Sequence, residues 1–188
     1  MIRPEYVELL KQHRADNNPE WGGSAVRYAG GPVLGAIEKR PQVVSVLDFG
    51  AGMGTLGRFI AAAAPNRELE WCEYDPSVDG IDTLEDRQYD MIVSTDVLEH
   101  VEPDEIDDTL DWLNLHAKYT QVHHIACYDV PDRLPDGRSA HLIVESPEWW
   151  LRMTACGGWP LFSKTTSTHT HTGRRDKTHV TIVMDRRY

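Results

Sequence analysis

Residues 43–57 read VVSVLDFGAGMGTLG, and this stretch determines the expected architecture of the chain. An apolar run of strand length ends near the carboxylate of Asp48, turns through alternate glycines and enters a helical pattern. Glycine has no Cβ, so such a turn can adopt positive φ and let main-chain N–H groups approach a ligand. The helix that follows directs its positive end to the same point. The sequence therefore predicts a nucleotide-type cofactor site at the carboxyl end of a first strand.

The position of Asp48 distinguishes two classes of cofactor. Gly52, Gly54 and Gly57 alone satisfy the G-x-G-x-x-G pattern of dinucleotide sites. A carboxylate two residues before Gly50 would repel a pyrophosphate at close range, but it would attract an ammonium group. The motif thus favours a ligand that has an amine and a ribose but no phosphate.

Three motifs follow one another in the order that is typical of class I S-adenosylmethionine-dependent methyltransferases, especially those that act on small molecules. They are DFGAGMG at 48–54, DPS at 75–77 and YDMIVSTDVLEHV at 89–101. On these motifs the chain resembles that family. The resemblance implies methyl transfer from S-adenosyl-L-methionine to a small-molecule acceptor, with release of S-adenosyl-L-homocysteine. It also implies a doubly wound, three-layer Rossmann-like α/β sheet.

Strand-like and helix-like patterns alternate along the chain and end in a β-hairpin. Strands are predicted at 43–49, 69–74, 91–94 and 120–127, with hairpin strands at 161–172 and 177–185. Helices are predicted at 33–39, 55–64, 103–118 and 146–156, after a short amphipathic segment at 4–10. This alternation predicts a mainly parallel sheet, to which the hairpin adds one antiparallel strand.

The connection between Ser77 and Asp90 is short for this family, whose sheet has seven strands. It cannot hold a helix, a strand and their turns, because a parallel crossover alone needs about a dozen residues or more. We therefore expect the family's third strand to be shortened or missing, which leaves about six strands. Ile81 and Asp82 lie in this shortened region, where the resemblance places the adenine contacts.

Length and composition limit the class of protein. With 188 residues we expect one domain, made of an N-terminal helical or lid segment (1–40), a cofactor-binding half (41–127) and an acceptor-side loop, helix and hairpin (128–188). A formal charge of −11 opposes non-specific attraction to nucleic acid or an anionic membrane. The three cysteines are far apart, and no signal peptide or membrane span is predicted. We expect a cytoplasmic protein whose partner is a small-molecule acceptor, not DNA, RNA or a membrane.

The resemblance assigns the cofactor contacts to the ends of three strands. Asp75, at the end of the second strand, can accept hydrogen bonds from both ribose hydroxyls. Asp48 favours the ammonium group of the methionine portion, which the glycines of the turn approach. The full expected set is Asp48, Gly50, Gly52, Gly54, Asp75, Ile81, Asp82, Thr95 and Asp96.

The segment after the 91–94 strand is expected beside the methyl group. The enzyme must align the acceptor with the sulfonium and remove a proton if the acceptor carries one. His100 is the candidate base because its ordinary pKa lies near neutrality, and Glu99 adjoins it. A purely structural role for His100, as a brace of this loop, stays open.

Two other interpretations of this segment stay open. Asp96, Glu99 and His100 resemble the E-x-x-E-H metal ligands of the ubiquinone-pathway O-methyltransferases and the small-RNA 3′-end 2′-O-methyltransferases. Oxygen ligands with an imidazole can hold a divalent ion, so a metal-assisted RNA 2′-O-methyltransferase is one alternative. A non-catalytic module that binds S-adenosylmethionine is the other. Our prediction contains no metal.

The acceptor is expected between the N-terminal segment and the loop that follows the 120–127 strand. Arg138 and His141 suit an anionic or hydroxylated acceptor. The paired His123 and His124 lie in the 120–127 strand and point to opposite faces. Neutral, hydrogen-bonded core histidines are the usual explanation, but near the end of the strand one of them can reach the mouth of the site. The acceptor-side candidates are Trp21, Arg27, Tyr128, Arg138 and His141.

Overall fold

The computed structural model describes residues 2–17, 25–155, 159–169 and 177–186. Its strands are β1 (Ser45–Phe49), β2 (Glu70–Tyr74), β3 (Tyr89–Thr95), β4 (Ala117–Ala126), β5 (Leu161–His169) and β6 (Lys177–Asp185). They form one sheet in the order β2-β1-β3-β4-β6-β5. Strands β1 to β4 are parallel, and β6 runs antiparallel to its neighbours β4 and β5. The predicted α/β sheet, mainly parallel with one antiparallel hairpin strand, is confirmed.

The connection after β2 holds no strand, as its length predicts. Residues 75–88 are all described, and β1 pairs directly with β3 so that Val46 lies opposite Met91. Beyond β2 the chain folds back on itself, because the Asp75 N–H donates to the Ile81 carbonyl over 2.9 Å. The sheet of the described residues therefore has six strands, with β2 at one edge.

Helices cover both faces of the sheet. They are α1 (Pro4–Asn17), α2 (Ala25–Glu38), α3 (Thr55–Ala63), α4 (Ile106–His116) and α5 (Pro147–Thr154). Because alternate residues of a strand point to opposite faces, Val46 packs with α2 and α3 while Leu47 packs with α4 and α5. The result is the expected three-layer, doubly wound arrangement.

Helix α2 is longer than the sequence predicts and passes through Gly30-Gly31-Pro32. We expected the helix to begin only after these residues, at Val33. Ala29, Val33 and Ile37 are instead fully buried one turn apart on the same helix face. Burial of this apolar face outweighs the weak local propensity. Gly30 also lets the helix approach α3, since a Cβ there would lie 2.9 Å from Phe59 Cε1.

Helix α1 extends to Asn17, well beyond the predicted segment 4–10. Its buried Tyr6 and Leu10 pack with Leu134 of the loop after β4. The helix therefore lies beside the ends of the strands at which the sequence places the site. None of the helices in the described part of the chain is long and apolar enough to cross a membrane.

Candidate active site

The turn after β1 has the conformation that its glycines predict. Gly50, Gly52 and Gly54 have φ angles of 82°, 55° and 63°. Two of these positions also lack room for a side chain, because a Cβ on Gly50 would overlap Val97 and one on Gly54 would lie 2.6 Å from Glu73 Oε1. Helix α3 begins directly after the turn. A ligand at this point would meet main chain and a helix N-terminus rather than side chains.

Asp75 lies against this turn at the end of β2. Its Oδ2 accepts a 2.9 Å hydrogen bond from the Gly52 N–H. Its Oδ1 accepts hydrogen bonds from Ser77 N at 2.9 Å and from Ser77 Oγ at 2.7 Å. Arg14 of α1 adds a longer ion pair, with its Nη2 3.3 Å from Oδ2. The carboxylate is therefore held in place by the glycine turn, by its own loop and by α1.

A cavity of about 250 Å³ runs along the carboxyl ends of the parallel strands. Because β3 separates β1 from β4 in the sheet, the cavity extends from the glycine turn past the end of β3 to the loop after β4. It brings together residues that the sequence places in the cofactor, catalytic and acceptor sets. The predicted residues that line it are Gly50, Gly52, Asp75, Thr95, Asp96, His100, Tyr128 and His141.

Asp48 is buried beneath the turn, behind the residues that line the cavity. Only 2% of the residue is exposed, and its Oδ2 makes no hydrogen bond within the described part of the chain. Burial, and secondarily the charges of Glu73 and Asp75, raise the pKa of Asp48 to about 8. Near neutral pH this carboxyl group therefore holds a proton until a cation lies beside it.

The end of β3 carries the strained backbone of Asp96, which has a φ of 53°. Few residues other than glycine adopt this left-handed region, and aspartate is among those that do. The Asp96 N–H donates to the His124 carbonyl over 2.8 Å, which ties the bend to β4. Burial raises the pKa of Asp96 to about 6. Strained polar residues of this kind often mark functional sites.

The turn at 98–100 holds Glu99 and His100 in different surroundings. Glu99 is fully buried, and its Oε1 accepts a 2.9 Å hydrogen bond from the Ala126 N–H. His100 lines the cavity, and its Nδ1 lies 2.7 Å from the Ala140 carbonyl oxygen. A carbonyl only accepts, so Nδ1 carries the proton and Nε2 is an acceptor. Burial, and secondarily His141, lower the pKa of His100 to about 3, which keeps the ring neutral.

Two groups of three side chains have ligand atoms within 4.8 Å of one another in the described residues. One consists of Glu99, His100 and His141. It keeps two members of the E-x-x-E-H-like set and has His141 in place of Asp96. The other consists of Asp96, His124 and His179, from the end of β3, from β4 and from β6. Either donor set, two imidazoles and a carboxylate, is of the kind that binds transition metals.

A family described as a methyltransferase domain matches residues 20–170, which is most of the chain. The chain belongs to this methyltransferase family. The predicted relation to the class I S-adenosylmethionine-dependent methyltransferases is thereby confirmed. No curated protein shows significant sequence similarity to the chain.

Solved structures of small-molecule methyltransferases share the fold. The 1,6-didemethyltoxoflavin-N1-methyltransferase of Burkholderia thailandensis, crystallised with 1,6-didemethyltoxoflavin and S-adenosylhomocysteine, superposes with a TM-score of 0.69 at 13% identity, over 98% of this chain and 91% of that one. Magnesium protoporphyrin IX methyltransferase of Synechocystis PCC 6803, with S-adenosylhomocysteine, gives 0.62 at 13% identity over 98% and 95%. The N-methyltransferase NodS of Bradyrhizobium japonicum WM9 gives 0.53 at 14% identity over 97% and 98%.

Several predicted residues of this methyltransferase lie away from the cavity. Ile81 and Asp82 are absent from its lining, because the loop after Asp75 folds back and uses the Ile81 carbonyl. Arg138 pairs with Glu102 at 3.0 Å and with Asp136 at 2.6 Å. Arg27 is exposed, and its guanidinium lies 5.7 Å from the centre of the Tyr28 ring. Trp21 lies outside the described residues.

Sequence reasoning also missed residues that do reach the methyltransferase site. Tyr6, Leu10 and Arg14 of α1 line the cavity. Their pattern indicated only an amphipathic helix, and nothing local to the sequence shows where such a helix docks. His179 was also missed: it lies behind the lining, with its Nε2 3.3 Å from Tyr128 Oη, and the sequence does not show which residues of β4 it would lie beside.

Proposed function

We propose that this methyltransferase transfers a methyl group from S-adenosyl-L-methionine to a small-molecule acceptor and releases S-adenosyl-L-homocysteine. One observation carries the proposal: a single cavity joins the glycine turn and Asp75 to Tyr128 and His141. Methyl transfer requires a donor and an acceptor aligned in one enclosure. The similar structures that contain S-adenosylhomocysteine, one of them together with its small-molecule substrate, support this assignment.

The cofactor end of the cavity, formed by Gly50, Gly52 and Asp75, fits S-adenosylmethionine. When bound, this cofactor supplies an electrophilic methyl group on its sulfonium. Gly50 and Gly52 line the cavity with positive φ, and we assign the methionine portion to them. Asp48 is the buried acid that loses its proton when an ammonium group arrives. Asp75 is our candidate for the ribose. A carboxylate offers about four acceptor positions, and in this structure Gly52, Ser77 and Arg14 occupy them.

Ribose hydroxyls that donate to Asp75 must therefore replace some of its present donors. The Gly52 and Ser77 main-chain N–H groups are fixed by the turn, whereas the Ser77 hydroxyl can rotate and the Arg14 contact is long at 3.3 Å. We therefore propose that the ribose hydroxyls replace the Ser77 hydroxyl and the Arg14 guanidinium as donors to Asp75. Because neither Ile81 nor Asp82 lines the cavity, we assign no adenine contact to them.

The acceptor end of the cavity is the part lined by His100, Tyr128 and His141. There, His100 and His141 present neutral rings to the cavity. The Nδ1 of His141 lies 2.7 Å from the Tyr128 carbonyl, so both rings offer Nε2 as an acceptor. With its low pKa, His100 orients an acceptor hydroxyl or amine by accepting its hydrogen bond, and it is a weak base. Glu99 acts through the Ala126 N–H as a positioning residue. The exclusion of DNA, RNA and membranes and a cytoplasmic location stay predictions, as does the division into segments 1–40, 41–127 and 128–188.

The test is calorimetric titration of the full chain with S-adenosylhomocysteine, followed by a screen of small-molecule acceptors for its release from S-adenosylmethionine. We expect micromolar binding, about −8 kcal/mol. Asp75→Ala should weaken it at least about 100-fold, because hydrogen bonds to a charged group contribute about 1.5–3 kcal/mol each. Asp79→Ala is the matched control, since Asp79 lies in the same loop with a 94% exposed side chain. Binding that Asp75→Ala leaves unchanged would contradict the ribose assignment, and binding without turnover of any acceptor would favour a non-catalytic module.

A further inference from the structure

A second cluster of polar side chains lies beside the cavity, on the sheet face that α2 covers. Asp96 stands at the end of β3, His124 on β4 and His179 on β6. Asp96 Oδ1 lies 3.8 Å from His124 Nε2, and the three ligand atoms of the cluster lie within 4.8 Å of one another. The imidazoles come from diagonal positions of the β4–β6 pair, where their rings are nearly parallel at 5.1 Å. The fold thus brings two histidines and one carboxylate together at one point.

The opposite edge of each imidazole meets a hydroxyl group. His124 Nδ1 lies 2.8 Å from Thr181 Oγ1, and His179 Nε2 lies 3.3 Å from Tyr128 Oη. An imidazole that coordinates a metal through one nitrogen carries its proton on the other, and a neighbouring acceptor commonly fixes that proton. The two hydroxyls are placed to accept these protons. Coordination would then use His124 Nε2 and His179 Nδ1.

Asp96 has two features that a neighbouring cation would explain. Its backbone is in the left-handed region, and its buried Oδ1 makes no hydrogen bond within the described part of the chain. A buried carboxylate oxygen without a donor is costly unless a positive charge lies beside it. The half-buried Tyr28 ring lies nearly parallel to both imidazoles, at 5.9 and 5.3 Å, and shields the cluster from solvent.

We propose that Asp96, His124 and His179 bind one divalent transition-metal ion. Coordination bonds of about 2.0–2.2 Å bring ligand atoms to roughly 3 Å from one another, so these side chains need only small shifts from their present separations. Two imidazoles and one carboxylate suit zinc, iron, cobalt or nickel better than magnesium or calcium. Asp96 and Tyr128 line the cavity, so the remaining coordination positions face the acceptor end.

The role of the ion rests on the proposed function. An acceptor oxygen or nitrogen bound to the metal would lose its proton more readily, because a divalent ion lowers the pKa of its ligand. This would supply the activation that the neutral, weakly basic His100 does not. Glu99, His100 and His141 are the competing set: Glu99 Oε1 accepts the Ala126 N–H, and its buried Oε2, like Asp96 Oδ1, makes no hydrogen bond within the described residues. The competing set therefore serves as the internal control.

The experiment is titration of the chelator-treated full chain with Co²⁺, followed by visible absorption and calorimetry, with S-adenosylhomocysteine titrated into the same samples. We expect one ion per chain. His179→Ala should weaken binding more than about 100-fold, since loss of an outer partner alone costs about 10–100-fold. Thr181→Val keeps all three ligands and should weaken Co²⁺ binding about tenfold. His141→Ala should leave it unchanged.

Two results would overturn the inference. One is a folded wild-type chain that takes up no Co²⁺ in a saturable manner. The other is uptake that survives His179→Ala and disappears in His141→Ala, which would place the ion at Glu99. Should His179→Ala not fold, an unchanged Co²⁺ affinity in Thr181→Val would count against the site. If the chain binds S-adenosylhomocysteine but not Co²⁺, the metal site is wrong and the proposed function is retained. If it binds Co²⁺ but not S-adenosylhomocysteine, the metal site is retained and the proposed function is wrong.

Discussion

The cofactor end of the cavity is built largely from main chain, and the acceptor end from side chains. At the cofactor end, Gly50 and Gly52 offer positive-φ backbone, and the main-chain N–H groups of Gly52 and Ser77 hold Asp75 in place. At the acceptor end, Asp96 and His100 follow β3 and His141 follows β4, and long-range contacts such as the Asp96 N–H to the His124 carbonyl position them.

This difference has a consequence for how each end tolerates change. A main-chain site depends on the conformation of the turn, so a side chain added there disturbs the whole site at once. A side-chain site can exchange one member and keep its framework, because β3, β4 and β6 are paired independently of the rings that they carry. We therefore expect the largest effects from backbone-directed substitutions in the turn and smaller ones from single side chains.

Gly50→Ala should have the largest effect. A Cβ at this position would overlap Val97, and the φ of 82° is unfavourable for alanine. The left-handed backbone costs about 1–2 kcal/mol and overpacking about 1–3 kcal/mol, so the free energy of unfolding should fall by about 2–5 kcal/mol. S-adenosylhomocysteine affinity should fall more than about 100-fold, because a displaced turn would lose several main-chain hydrogen bonds to the ligand, each of which contributes about 1 kcal/mol. Urea denaturation and calorimetry measure the two quantities.

Gly80→Ala separates the backbone cost from the steric one. Gly80 has a φ of 91°, but a Cβ there would meet nothing within 4 Å. This variant should lose only about 1–2 kcal/mol of stability and keep its affinity for S-adenosylhomocysteine. The double variant Gly50→Ala, Val97→Ala should recover part of the loss by removing the overlap. If Gly50→Ala and Gly80→Ala behaved alike, the close approach of Val97 would not matter, and the proposed sensitivity of the turn would be wrong.

Asp48→Asn should have the next largest effect, and it tests the buried carboxyl group beneath the glycine turn. In the wild type the pKa of Asp48 is raised to about 8, so the folded chain keeps a proton that the unfolded chain releases above about pH 4. Stability therefore falls as the pH rises towards 8 and levels off above it. Because asparagine does not titrate, the variant should gain about 2–3 kcal/mol relative to the wild type between about pH 6 and about pH 8.

Urea denaturation of both proteins at the two pH values measures this difference. The variant should also bind S-adenosylhomocysteine more weakly, because the amide cannot become the anion that an ammonium group favours. Parallel pH dependences of the two proteins would show that Asp48 is ionised in the folded, cofactor-free state.

The same contrast explains what the sequence could predict. Gly50, Gly52 and Asp75 lie in short motifs whose chemistry is local, and the structure brings them together as expected. The missing strand could also be predicted, because it follows from the length of one connection. The passage of α2 through Pro32 could not, since burial of Val33 and Ile37 depends on the sheet beneath them.

The acceptor end was less predictable because its residues are distant in sequence. Tyr6 reaches the His100 carbonyl across 94 residues, and Thr181 reaches His124 across 57. Spacing along the chain carries no information about such contacts. Arg138 illustrates the converse, since an arginine expected at the acceptor is held by Glu102 and Asp136.

Arg14→Ala should have the smallest effect and tests whether α1 competes with the cofactor. The Arg14 guanidinium lies 3.3 Å from Asp75 Oδ2 and 3.1 Å from Ser77 Oγ, at positions that ribose hydroxyls would need. Removing a competing donor should tighten S-adenosylhomocysteine binding by up to about tenfold, or about 1.4 kcal/mol. Lys11→Ala is the control on the same helix, because the only ion pair that Lys11 makes within the described residues is with the exposed Asp79. Weaker binding in Arg14→Ala would mean that Arg14 is itself a cofactor contact, and the cofactor end would then share the side-chain construction of the acceptor end.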